Sequence, residues 1–214
     1  TTVDFKAEVE KRREEMMADL FSLLEINSER DDSQADATHP YGPGPVKALE
    51  KFLEIAERDG YETTNVDNYA GHFTFGQGEE ELGIFDHWNT DPYKPEIIDG
   101  KLYARGSSDD KGPTVACYYG LKIIKDLGLP VSKRVRFVVG TDEESGWGDM
   151  DYYFKHVGLP DPDFGFSPDA EFPIINGEKG NITEYLHFGG QNTGQAHLHS
   201  FTGGLRENMV PESA

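Results

Sequence analysis

The feature that most constrains this chain is the run Val135-Arg136-Phe137-Val138-Val139, which empties at once into Gly140-Thr141-Asp142-Glu143-Glu144. A short β-branched and aromatic run of this kind reads as a strand buried at the centre of a sheet. Its neighbours alternate in type. Gly112-Pro113 opens a helix expected to run to about Leu127, where Gly128 and Pro130 stop it. A helix at about 149–157 and a strand at about 163–167 follow. This alternation predicts an α/β fold, a sheet with helices on its faces.

Upstream, Phe5, Val9, Met16, Leu20, Leu23 and Leu24 recur at three- and four-residue steps, predicting one amphipathic helix over 4–26. Residues 28–45 are polar and rich in Asp, Pro and Gly, hence a loop. A second helix is expected at 45–59, between Pro45 and Gly60, burying Leu49, Phe52, Leu53 and Ala56. Strands are expected at 61–66, 70–75 and 81–85, with Gly76-Gln77-Gly78-Glu79 as a hairpin signal between the last two. From about Asn181 the texture is β-rich and Gly-rich.

Charge narrows the function. Twenty basic residues against forty acidic ones leave a net charge of −20, which argues against nucleic acid and against an anionic membrane surface. No apolar run approaches the length of a bilayer span, and no leader segment is read at the start. Disorder is equally disfavoured, because 36% of the 214 residues are apolar and 13 Phe and 10 Tyr need a core. The single cysteine, Cys117, has no partner for an internal disulfide and reads as a small buried apolar residue. A reducing compartment, the cytoplasm, is therefore expected.

In open α/β sheets, ligands sit beyond the carboxyl ends of the strands. Here those places carry acids: Asp142-Glu143-Glu144 after 134–139, Asp169 and Glu171 after 163–167, Asp109-Asp110 after a short strand near Leu102-Tyr103, and Asp86-His87 after 81–85. Taken singly, each has an ordinary reading. Asp109-Asp110 suits a helix cap, Glu143-Glu144 a solvated loop, and His87 a surface position. Taken together, like charges at one edge repel in a low dielectric and call for a cation, a bound water or a raised pKa. Carboxylates with a histidine suit a hydrolytic metal such as Zn²⁺ or Mn²⁺.

Three ordered motifs carry a family resemblance. They are Tyr103-Ala104-Arg105-Gly106-Ser107-Ser108-Asp109-Asp110-Lys111-Gly112-Pro113, Gly140-Thr141-Asp142-Glu143-Glu144-Ser145-Gly146-Trp147, and Ser167-Pro168-Asp169-Ala170-Glu171-Phe172-Pro173. With Asn176-Gly177-Glu178-Lys179-Gly180 and Gly204-Leu205-Arg206-Glu207-Asn208-Met209-Val210-Pro211, they resemble the dinuclear-zinc dipeptidases of the PepV and carnosinase type. The wider family includes aminoacylases and succinyl-diaminopimelate desuccinylase. The resemblance implies a mixed sheet flanked by helices over residues 1–186, the N-terminal part of a catalytic domain, and the beginning of an α+β lid domain over 187–214. It implies hydrolysis of dipeptides or short peptides by metal-activated water, with zinc at two positions and manganese or cobalt as substitutes. The Asp109 carboxylate would bridge the two ions, and the Asp109–Asp110 peptide would be cis. Glu144 and Asp169 would each ligate one ion, His87 would be a further ligand, and Glu143 would be the general base. Asn208 and, more weakly, Arg206 would contact substrate from the lid. A monomer or a lid-mediated dimer is implied.

Two departures bear on that expectation. The family has a His-x-Asp motif where this chain has Asp86-His87 followed at once by Trp88-Asn89-Thr90-Asp91-Pro92, so the motif is broken after its histidine. The family also continues beyond the point reached by Ala214, so the chain resembles an N-terminal half. An alternative function follows: a truncated or inactive relative that binds cations or a partner weakly. His197 and His199 share one strand face and are read as ordinary strand histidines of the lid.

Overall fold

The computed structural model describes residues 2–87, except the side chain of His87, and 94–169, together with 173–177, 179–180, 182, 184–187, 189, 194 and 203. The chain divides into two compact units, Thr1–Ala170 and Glu171–Ala214. Among the described residues of the second unit no helix or strand is formed. The expected start of a lid near residue 187, its strands, Arg206, Asn208, His197 and His199 fall there, and these four residues lie outside the described ones.

Among the described residues of the first unit, seven strands and five α-helices are formed. The helices are α1 (Phe5–Lys11), α2 (Arg13–Leu24), α3 (Pro43–Arg58), α4 (Lys111–Asp126) and α5 (Gly148–Asp151). The strands are β1 (Thr63–Val66), β2 (Ala70–Phe75), β3 (Glu81–His87), β4 (Glu96–Ile98), β5 (Lys101–Tyr103), β6 (Arg134–Gly140) and β7 (Phe164–Phe166). The main sheet runs β1-β2-β6-β3-β7. β3 is parallel to β6 and to β7, while β1 and β2 run antiparallel on the other side. This is the mixed, helix-flanked sheet that the sequence and its resemblance imply. Among the described residues no helix is long and apolar enough to cross a membrane.

Four expectations are corrected. The single helix over 4–26 breaks at Arg12, whose backbone sits at φ −106°, ψ 5°. The Glu8 carbonyl, which an unbroken helix would bond to the Arg12 amide, instead accepts from the Arg12 guanidinium at 3.0 Å. That guanidinium also donates to Asp126 of α4 at 3.1 Å, so a tertiary ion pair wins over one helical bond. The segment Gly76–Glu79 does not close a hairpin, because β6 lies between β2 and β3. It passes instead over the chain entering β6, where a Cβ on Gly78 would lie 2.6 Å from the Ser132 carbonyl. The strand near Leu102-Tyr103 exists but, among the described residues, pairs with β4 and not with the main sheet, through a turn with Asp99 at φ 51° and Gly100 at φ 77° that suits a tight hairpin. The helix expected at 149–157 is one α-helical turn, α5, widened into a π-helical turn over Tyr152–His156.

Alternation along β6 sorts the core into two layers. Val135, Phe137 and Val139 face α2, α3 and α4 in one cluster with Leu23, Leu49, Phe52 and Tyr118. Val138 faces the opposite way, with Val66, Ala70, Met150 and Tyr153. Phe73 of β2 sits at the hinge of the first layer, fully buried. Its ring lies 4.3 Å from that of Tyr61 and 5.4 Å from that of Phe137, centroid to centroid. Phe73→Ala is expected to cost about 3–5 kcal/mol of unfolding free energy. Thr74→Ala, on the exposed side of the same strand, should cost less than about 1 kcal/mol. Urea denaturation of the two variants tests the assignment.

Candidate active site

Three parallel strands deliver their C-terminal ends to the same sheet edge. β3 ends at His87, in register with Gly140, the last residue of β6. β6 continues through Thr141 and Asp142 into a 3-10 turn, Glu143–Ser145. β7 ends at Phe166, three residues before Asp169. Asp109 arrives differently, just ahead of α4 and not from a strand of the main sheet. The loop before that helix folds tightly onto it. The Gly112 amide donates to the Gly106 carbonyl at 3.2 Å, and a Cβ on Gly112 would collide with the Ser107 carbonyl. The Asp109–Asp110 peptide is cis, as the resemblance implies.

These arrivals bring acids together. The carboxyl of Asp169 is pushed up to about 6 from its ordinary 3.8, by burial first, then by Asp110, Asp109 and Glu144, and by a hydrogen bond that its protonated form donates to Asp109. Asp109, Glu144 and Asp169, named from the sequence on separate segments, therefore lie within one another's fields. Glu143 stands on the same turn as Glu144. For His87 the structure gives the backbone position at the strand end alone. An oxygen-rich, like-charged set of this kind is relieved by a proton or by a divalent cation, and its hard carboxylate donors suit either Mn²⁺ or Zn²⁺.

A second acidic group shows the contrast. Among the described residues, Glu15, Asp19 and Asp59 place one oxygen each within 4.8 Å of one another. Here side chains supply the positive charge. Arg58 donates to both oxygens of Asp19, at 2.6 and 2.8 Å, and pairs with Glu15 and Asp59. Lys122 lies 3.4 Å from Asp59. Tyr119 and Tyr118 donate at 2.6 Å to Asp19 and Asp59 respectively. That group ties α2, α3 and α4 together and has its cations already.

Asp149, which sequence reasoning passed over, and Asp142, read there only as one of the strand-end acids, fix the acidic turn. Asp149 is fully buried, and one carboxylate oxygen accepts the amides of Thr141 and Asp142 at 2.6 and 3.1 Å. Asp142, 3% exposed, accepts the Gly148 amide at 3.1 Å. The only signal in the sequence was their spacing around Glu143-Glu144, and on an acid-rich chain that spacing is unremarked. Lys111 braces the other acids. Its buried ammonium donates to the carbonyls of Leu23 and Ile26 at 2.9 and 3.1 Å, pinning the start of α4 to the end of α2. Burial draws its pKa down to about 8, with Asp110 acting in the opposite direction.

A pH dependence follows. A carboxyl whose folded-state pKa is raised favours the fold when protonated, so its contribution is complete below about 4 and is lost as pH rises through about 6. In chelator-treated protein, Asp169→Asn is expected to melt above the wild type at pH 7.5, with the gap closing toward pH 4. Differential scanning fluorimetry across that range checks it, and a gap independent of pH contradicts the charge assignment.

Comparison with known proteins shows what the chain is similar to. The sequence profile of peptidase family M20/M25/M40 matches residues 79–190, a span that holds all the acids of the cluster. The chain is 44% identical over 224 residues to "Putative dipeptidase YtjP" of Bacillus subtilis, covering 99% of this chain and 48% of that protein. It is 43% identical over 221 residues to "Beta-Ala-Xaa dipeptidase" of Lactobacillus delbrueckii, covering 98% of this chain and 47% of that protein. It thus spans about half the length of these relatives. In fold it is similar to human carnosine dipeptidase 1, with a TM-score of 0.61 at 18% identity over 77% of this chain and 40% of that one. By the profile match over half its length, this chain belongs to peptidase family M20/M25/M40.

Proposed function

We propose that this chain supplies the metal-holding and proton-transferring edge of a metal-dependent dipeptidase. The observation that carries this reading is the convergence of Asp109, Glu144 and Asp169 at one sheet edge with a raised Asp169 pKa. The dipeptidase names of its relatives support it. Asp109 would lie between two ions, with Glu144 on one and Asp169 on the other, and His87 would add a ligand from the end of β3. Zinc is the proposed metal, with manganese or cobalt as substitutes. When bound, the metal supplies Lewis acidity, lowering the pKa of water and polarising the substrate carbonyl.

The chain's own residues do the rest. Glu143, beside Glu144 on the same turn, is the proposed general base. It takes the proton of the attacking water and returns it to the leaving amine, so one carboxylate serves both halves of the reaction. Adjacent acids on a tight turn face different ways, which lets Glu144 hold metal while Glu143 moves protons. Asn208 and Arg206 are proposed to contact a short peptide substrate. The lone cysteine favours a reducing, cytoplasmic setting, and a monomer or a lid-mediated dimer is proposed.

Glu143→Gln in the full-length protein tests the mechanism. Turnover of a dipeptide is expected to fall by at least about 10²-fold, with the bound metal, measured by atomic emission, unchanged. Retained turnover contradicts the role of Glu143.

A further inference from the structure

The loop between α2 and α3, a plain polar connection in the sequence, closes on the acidic turn through one arginine. Arg30 donates from Nη1 to Asp142 Oδ1 at 2.5 Å and from Nε to Asp32 Oδ1 at 2.8 Å. Its guanidinium carbon lies 4.8 Å from the centre of the Tyr41 ring. Asp142 immediately precedes Glu143, and it ties the turn at both ends. Its side chain accepts the Gly148 amide at 3.1 Å, and its carbonyl accepts the Trp147 amide at 3.0 Å.

Tyr41 completes the contact. A Cβ on Gly148 would collide with the Tyr41 hydroxyl, so the ring closes directly against the far end of the turn. Tyr41 also meets Tyr69 edge-on at 5.8 Å, and the Tyr69 carbonyl accepts the Thr141 hydroxyl at 2.6 Å. The loop is itself braced, because Asp31 donates its amide to the Tyr41 carbonyl at 3.0 Å and caps the short turn at Asp32–Gln34.

We propose that Arg30 is a positioning residue for the turn carrying Glu143 and Glu144, acting through the buried carboxylate of Asp142. A buried carboxylate deprived of its cation either takes up a proton or moves toward water, and either change releases the Trp147–Gly148 end of the turn. Arginine suits the place because its planar fork reaches two carboxylates while its face stacks on a ring, which a lysine does not reproduce. The link to catalysis rests on the roles proposed above for Glu143 and Glu144.

Hydrogen exchange and kinetics of full-length Arg30→Met, Arg30→Lys and Arg30→Met/Asp142→Asn test this. In Arg30→Met the amides of Trp147 and Gly148 are expected to exchange at least about tenfold faster, with those of β6 and α4 unchanged. On a dipeptide, kcat should fall about 10–100-fold, as for other residues that orient metal ligands, with KM within about twofold. Arg30→Lys should fall between Arg30→Met and wild type. The double variant should be no worse than Arg30→Met, because a neutral amide in place of the Asp142 carboxylate leaves no buried charge unpaired. Unchanged exchange at 147–148, or exchange rising equally across β6 and α4, overturns the proposal. A wild type without dipeptide turnover defeats the proposed function instead, and the exchange result still judges the hold of Arg30 on the turn.

Discussion

Mutual repulsion among Asp109, Asp110, Glu144 and Asp169 is the constraint around which the first unit is organised. Each of the segments that deliver these acids is fastened by something other than the acid itself. Parallel pairing fixes the ends of β3, β6 and β7 at one edge. The buried ammonium of Lys111 fastens the start of α4 to the carbonyls ending α2. Asp149 gathers the amides that leave β6. A cluster of like charges persists only where such anchors over-determine it, and the Asp169 pKa is raised by burial first and then by the repulsion that remains.

The two acidic groups of the unit differ in how their charge is met. Arg58 and Lys122 neutralise Glu15, Asp19 and Asp59, and the result is a brace between helices. At the sheet edge the cation is expected from solution, so the fold pre-arranges donors that are uncomfortable without it. The first group is thus a structural brace, and the proposed chemical part falls to the second, although both are simply acids in the sequence.

Much of this was legible in residue order. The Val135–Val139 run announces the central strand because burial on both faces favours β-branched and aromatic residues, and its one charge, Arg136, is buried against Glu81. The strand-end acids were legible because parallel strands leave a sheet at one side. What was missed depends on contacts distant in sequence. The break at Arg12 requires Asp126, 114 residues away. The separation of β2 from β3 requires β6 to insert between them, which a local turn signal at Gly76–Glu79 does not encode. Arg30 lies in a segment that reads only as a polar loop, and its proposed role arises from Asp142, 112 residues on.

The edge carboxylates are proposed to hold metal through Asp109. Titration calorimetry of the chelator-treated full-length protein with Zn²⁺ or Mn²⁺, set beside Asp109→Asn, tests it most directly. About two tightly held ions are expected in the wild type, with both weakened in the variant, because a bridging carboxylate would serve each. Binding that is loose in the wild type, or unchanged by Asp109→Asn, would contradict it.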